Sequence, residues 1–274
     1  MASAPSSATK PWSRTGTTFS ATTCSITATP ASVTRAYVGA SGFSYAEWRG
    51  SFYPADAKPP EFLGHYAERL SAVELNNTFY RLPAEAQLER WAEATPPEFR
   101  FAVKAPMSIS FFGRLDQLGT LAERLAVLGP RLGPLLVRAH DDHQRSRDGF
   151  LQLLLESLDP TLLVALDLRH PSWAGIETDL PANAVRVNQL EGETRFRYLR
   201  FSDHPYDDEA LDSAAETVRD LGVETYCLFS KGAASDHSPA GEPTAVTAER
   251  FLHRLTPPGP GTPGSKSDEE ESDG

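Results

Sequence analysis

Five apolar residues in succession, Leu162-Leu-Val-Ala-Leu166, run into Asp167, Leu168, Arg169 and His170, and the run stops at Pro171. A strand with one wet face alternates apolar and polar positions, so a short unbroken apolar run reads as a strand covered on both sides, as in a parallel sheet. Pro171 cannot donate to a ladder and closes the strand. An acid, a guanidinium and an imidazole therefore arrive together at a C-terminal strand end, which is where α/β folds hold their ligands. The competing reading is an ion pair that only caps the strand.

Seven further segments share this character. Tyr37–Ala40, Ala72–Asn76, Phe99–Lys104 and Pro134–Arg138 precede the Leu162–Asp167 strand, and Ala184–Asn188, Phe196–Phe201 and Glu224–Phe229 follow it. Helix-like stretches cover 59–70, where Pro stands in the first turn, and then 84–94, 115–128, 148–157, 208–221 and 247–255. Eight strands alternating with helices in roughly 220 residues predict a single α/β domain over 37–256, a (β/α)8 TIM-like barrel. An open doubly wound sheet is the second choice, weakened because no Gly-rich phosphate loop follows the first strand.

The two ends read differently. Residues 1–36 are rich in Ser, Thr, Ala and Pro and carry Lys10, Arg14 and Arg35 without any acid, which predicts a disordered leader. Residues 257–274, PPGPGTPGSKSDEEESDG, predict a disordered acidic tail rich in Pro and Gly. With three positive charges on the leader and a net four negative on the tail set aside from the total of −11, the body carries −10. That balance argues against extended binding along a nucleic-acid backbone, which needs clustered Lys and Arg, but leaves room for a local basic pocket. No segment approaches 18 apolar residues, so no membrane span is expected. Cys24 and Cys227 supply neither a disulfide framework nor a zinc site, and a reducing, cytoplasmic setting is the expectation.

The period of two along a strand decides which side chains enter the barrel. It places Ala165, Asp167 and Arg169 inside the fifth strand, Glu74 and Asn76 inside the second, and Lys104, Arg138, Arg186 with Asn188, and Tyr198 with Arg200 inside the others. Five cations against two carboxylates, Glu74 and Asp167, is a costly imbalance in a reduced dielectric. A small anionic ligand at the strand C-termini would balance it, as would escape of some side chains to the solvated rim.

Four ordered motifs resemble the YecE-like family, domain of unknown function 72. They are Val38-Gly-Ala-Ser-Gly-Phe-Ser-Tyr-Ala-Glu-Trp-Arg-Gly-Ser-Phe-Tyr-Pro54, Glu74-Leu-Asn-Asn-Thr-Phe-Tyr-Arg81, Phe101-Ala-Val-Lys-Ala-Pro106 and Asp167-Leu-Arg-His-Pro-Ser-Trp173. The resemblance implies a TIM-barrel-like fold and no established reaction. This chain departs from the family's pattern where Asp167 replaces a Glu, where Arg138-Ala-His-Asp-Asp-His143 follows the fourth strand, at Ser202-Asp-His204, and where Ser230-Lys-Gly-Ala-Ala-Ser235 replaces an Asn-rich loop. A changed substrate and a lost activity are both compatible with so much rewriting of the rim.

The chemistry these residues could support falls into three classes. Metal-assisted hydrolysis would draw on Glu74, Asp167, His170 and His204 to hold a divalent ion, with His140, Asp141, Asp142 and His143 as a second group. Strand parity turns His170 away from Asp167 unless Pro171 rotates it. Metal-free acid–base hydrolysis of a phosphorylated, sugar or nucleotide-like ligand would use Glu74 and Asp167 across the barrel, oriented by Asn76, Tyr198 and Arg169. In the third class the cations bind a metabolite and nothing is turned over. Ser41, Tyr45, Trp48 and Tyr80 join the ligand-binding candidates, Tyr45, Trp48 and Tyr80 within an aromatic group that also includes Phe43, Phe52, Tyr53 and Phe79. Such aromatics more often pack a long first loop onto the barrel.

Overall fold

The computed structural model describes residues 35–145, 149–202, 206–230 and 242–256. Both expected tails lie outside the described residues, except Arg35 and Ala36. So does His204.

Eight parallel strands form one sheet in the order β6-β5-β4-β3-β2-β1-β8-β7. They are β1 (Ala36–Ser41), β2 (Ala72–Leu75), β3 (Arg100–Lys104), β4 (Leu132–Arg138), β5 (Val164–Asp167), β6 (Ala184–Arg186), β7 (Phe196–Phe201) and β8 (Glu224–Phe229). The α-helices are α1 (Phe62–Ala67), α2 (Glu85–Glu93), α3 (Met107–Ser110), α4 (Leu118–Ala126), α5 (Phe150–Ser157), α6 (Asp208–Asp220) and α7 (Thr244–Leu255). Helix α6 starts where Asp207 caps it, its carboxylate accepting from the Ala210 backbone N–H. The sheet curls into a TIM-barrel-like cylinder whose two apolar layers follow strand parity. Tyr37, Ala72, Ala102, Leu136, Ala165, Val185 and Tyr198 pack together inside. Val38, Val73, Phe101, Val103, Leu135, Val137 and Leu166 pack outward under the helices.

The sixth strand corrects the expected parity. Register pairs Ala165 with Val185 and Leu166 with Arg186, so the inward residue is Val185 and Arg186 points away from the barrel axis. There Arg186 donates to Glu177 Oε1 at 3.0 Å and to the Leu168 carbonyl at 3.1 Å. Apolar residues on both sides of Arg186 satisfied either assignment, and only pairing with β5 fixes it.

The barrel closes without a ladder between β6 and β7. Asn188, at φ 63°, donates its backbone N–H to the Tyr198 carbonyl at 2.9 Å, and its Oδ1 accepts the Arg200 backbone N–H at 2.7 Å. Asn tolerates this left-handed conformation better than other side chains do. No α-helix covers the connections on either side of β6. In place of one, the outward Arg197 lies buried and donates to the carbonyls of Glu191 and Gly192.

The pairing of β1 with β2 is reinforced by a phenol. Ala40 donates its backbone N–H to Tyr66 Oη at 2.7 Å, and the Tyr66 hydroxyl donates to the Ala72 carbonyl at 2.8 Å, so one hydroxyl bridges β1 to β2. A methyl on Gly39 would stand 1.8 Å from the Ala72 oxygen, so this approach tolerates no side chain. The aromatics of the first loop pack against each other, Trp48 against Tyr45 and Phe52, and Tyr53 stacked on Phe62 at 4.5 Å.

Candidate functional site

Three strand ends converge on Glu74, which is completely buried. Ser41, at the end of β1, donates to its Oε1 at 2.8 Å, and Tyr198, from β7, donates to its Oε2 at 2.7 Å. Arg200, two residues along β7, donates from Nη2 to Oε1 at 3.2 Å. Burial holds the Tyr198 phenol well above its ordinary range, and the charge of Glu74 adds to this, so it is a neutral donor. Tyr45 steadies the same corner by donating to the Ser41 carbonyl at 2.7 Å.

Asp167 is the second carboxylate, 8% exposed at the end of β5. Arg169 holds it with two bonds of 3.1 Å, from Nε and Nη2, and Arg200 Nη1 reaches its Oδ2 at 3.5 Å. One guanidinium therefore stands between both carboxylates. Burial opposes the charge on Arg200, yet Glu74, Tyr198 and Asp167 together raise its pKa. The seam residue Asn188 sets the backbone from which that side chain extends.

Around this pair lie the cations of β3 and β4. Arg138 donates to both oxygens of Asp141, at 3.0 and 3.2 Å, and Asp141 also stands 4.0 Å from Arg169. Arg138 holds its carboxyl below the usual range through these bonds. Lys104 places its Nζ 4.4 Å from the centre of the Phe79 ring, a cation–π contact, and has no hydrogen bond or ion pair from that nitrogen among the described residues. Burial pushes the Lys104 amine down, Glu74 and Asp167 oppose this, and Arg200 and Arg138 reinforce it. Arg138 Nε and Arg200 Nε are buried without an acceptor among the described residues.

The structure thus brings Glu74, Asp167, Ser41, Tyr198, Lys104, Arg138, Arg169 and Arg200 to one mouth. Tyr45 supports that mouth through Ser41, His204 lies outside the described residues, and Arg186, His170, Trp48, Tyr80 and Asn76 take other places. Arg186 faces outward; His170 turns back, its Nδ1 accepting the Ser172 backbone N–H at 3.1 Å, so that it caps a 3-10 turn. Trp48 is 1% exposed within the first-loop packing, whereas Tyr80 is 80% exposed. Asn76 initiates the short 3-10 helix Asn77–Phe79 and its carbonyl accepts the Phe79 N–H. Among the described residues no three His, Cys, Asp or Glu gather to hold a metal ion. Of the second expected metal group, Asp141 is paired with Arg138, and His140 contacts its neighbour Asp142 at 3.6 Å.

Three residues named in the sequence for other roles have a different part here. Asp141 joins it because Arg138 and Asp141, three residues apart across the end of β4, turn back on each other. Phe79, named in the aromatic group, lies against Lys104, and Asn188, expected inside the barrel, accepts the Arg200 backbone N–H with its side chain. A cavity of about 510 Å³ lined by Arg100, Leu121, Leu125, Gly133, Glu224 and Tyr226 lies at the N-terminal strand ends, away from Glu74. The C-terminal mouth carries the titratable cluster, which makes it the candidate site.

Residues 37–261 match the family model described as "Protein of unknown function DUF72". The chain is 30% identical over 115 residues to the UPF0759 protein YecE of Escherichia coli K12, a match spanning 40% of this chain and 42% of that relative. It is similar in structure to a DUF72 family protein from Thermotoga maritima MSB8, with TM-score 0.67 and 24% identity over 81% of this chain and 99% of the other. A DUF72 family protein from Enterococcus faecalis V583 gives TM-score 0.62 and 16% identity over 81% and 98%. Both structural likenesses bear on the fold alone. No helix among the described residues is long and apolar enough to cross a membrane.

Proposed function

Because the chain belongs to the DUF72 family, whose description names no function, we propose from its own chemistry that the C-terminal mouth of the barrel binds a small anion, a carboxylate or phosphate. One observation carries this reading: the donors at the mouth outnumber the acceptors. Among the described residues, Lys104, Arg138, Arg169 and Arg200 face Glu74, Asp141 and Asp167, one positive charge in excess. Arg138 Nε and Arg200 Nε are buried without an acceptor among the described residues, where Lys104 Nζ makes a cation–π contact and no hydrogen bond or ion pair. Buried donors without acceptors are rare in folded proteins and call for a partner. The surplus is smaller than strand parity suggests, because Arg186 faces outward and Asp141 comes in.

Binding fits this geometry better than hydrolysis. An acid–base pair needs carboxylates free to exchange protons with substrate, and here Arg200 stands between Glu74 and Asp167 while Arg169, Ser41 and Tyr198 occupy further lone pairs. A hydrolytic role would require the anion to displace those arginines first. A cytoplasmic setting is part of this proposal, consistent with the buried free thiol of Cys227.

Thermal unfolding in phosphate against chloride at matched ionic strength tests the reading, since screening is then equal and only specific binding differs. At tenfold excess over Kd the increment should be about 1.4 kcal/mol. Arg169→Met should remove most of it while costing about 1 kcal/mol or less itself, because that side chain is 47% exposed and Asp167 keeps Arg200. Equal melting temperatures in the two salts would refute the proposal.

A further inference from the structure

We infer that Lys104 is a nucleophilic amine that forms an imine with a 2-oxo acid, whose carboxylate is taken by Arg138 and Arg169. This rests on the anion-binding reading above and deepens it by naming the substrate class. Arg169 reaches Asp141, and Asp141 is the partner of Arg138, so the two guanidiniums flank one rim carboxylate.

Placement makes the first argument. Lys104 ends β3, on the inward face, beside the Glu74, Arg200 and Arg138 charges. Among the described residues every other cation at this mouth has a carboxylate partner at 3.2 Å or less, whereas Lys104 has only the face of Phe79. A half-buried lysine with no carboxylate bonded to it gives up its proton more readily than one in water; burial pushes the Lys104 amine down, and Arg200 and Arg138 add to this against the opposing charges of Glu74 and Asp167.

The second argument is residue choice. The chain has 21 arginines and five lysines, Lys10, Lys58, Lys104, Lys231 and Lys266. Arg cannot be deprotonated in a protein, so a site that only held anions had no need to depart from the prevailing cation here. A site that attacks a carbonyl does need an amine.

The step balances without an added reagent. The neutral amine adds to the ketone carbon, the C–N bond forming as the carbonyl π bond opens, and an amine proton passes to the resulting alkoxide. Loss of that hydroxyl with the remaining nitrogen proton releases one water and leaves the C=N bond.

The full chain should be incubated with pyruvate and sodium cyanoborohydride, and its lysine peptides mapped by mass. We expect one reduced pyruvate adduct on Lys104, forming at least tenfold faster than on Lys58, and much slower formation with acetone, which lacks the carboxylate. Lys104→Arg keeps the cation but has no amine able to add to a carbonyl, so it should lose the adduct. Labelling of Lys104 no faster than Lys58 overturns the inference. Equal rates with acetone and pyruvate overturn the 2-oxo acid class. If Lys104 stays unlabelled while phosphate stabilises the protein, the imine fails and anion binding stands; if phosphate gives nothing, the underlying reading has failed.

Discussion

Replacing Arg200 by Met keeps a stem of similar length and removes the guanidinium between Glu74 and Asp167. The two carboxylates do not suffer equally. Asp167 keeps both bonds from Arg169, at 3.1 Å, and is partly wet, so it contributes little to the loss. Glu74 is completely buried and, among the described residues, keeps only the Ser41 and Tyr198 hydroxyls as hydrogen-bond donors, two neutral groups, with Lys104 near it but making no bond to it. Removing one partner of a buried pair costs about 3–5 kcal/mol, because the remaining charge is left uncompensated. In a domain of this size that is a fall in Tm of on the order of 10 °C. Urea unfolding gives the free energy directly, and a second variant identifies its source. Glu74→Gln removes the stranded charge, so the double variant Glu74→Gln/Arg200→Met should recover at least half of the loss, a coupling of about 2 kcal/mol or more. A loss below about 1 kcal/mol, or strictly additive single variants, would show that water already screens Glu74 and that the pair is not buried as described.

Tyr66→Phe should cost on the order of 3 kcal/mol in urea unfolding, because it strands the Ala40 N–H and the Ala72 carbonyl with no water in reach; a neutral result would mean the strands close up directly. Lys104 gives a pH dependence: its folded pKa lies below 10.5, so the charged amine costs stability below that lowered value, and the cost fades as pH rises through it toward 10.5. Stability of the parent relative to Lys104→Met should therefore increase across that window, with Glu74, Asp167, Arg138 and Arg200 as the charges facing it, and a flat difference would contradict the shift. Asn188→Gly keeps the positive φ and loses the acceptor for the Arg200 N–H, whereas Asn188→Ala loses both, so thermal melts should rank parent, Gly, then Ala.

Residues 161–173 show why the fold was legible and the site only partly so. The apolar run to Asp167 identifies a covered parallel strand, and its period of two predicts that Asp167 faces inward. The same logic predicted Glu74, Lys104, Arg138 and Arg200, since each ends a strand whose alternate positions are plainly apolar. It failed for Arg186, where Val185 and Val187 on one face and Ala184 on the other gave no contrast, and pairing with Ala165 decided the matter. The pairing inside the site was not legible either. That one guanidinium stands between Glu74 and Asp167 depends on β7 lying across from β2 and β5, a separation of 126 residues from Arg200 to Glu74 that no local pattern reports.

The closure at Asn188 has a consequence for how the protein fails. A cylinder with a complete ladder has no free strand edges, but here β6 and β7 face each other across a join held by two hydrogen bonds of one residue. Should that join open, each strand presents unpaired N–H and C=O groups that another copy of the chain could template on. The edges are poor templates by construction: β6 is three residues long, and β7 carries Arg197 and Arg200 on its two faces. Charge and brevity are what sheet proteins use to keep such edges from pairing between molecules. Aggregation on heating should therefore begin in variants that weaken Asn188 and neutralise Arg197 together, before the rest of the barrel has unfolded.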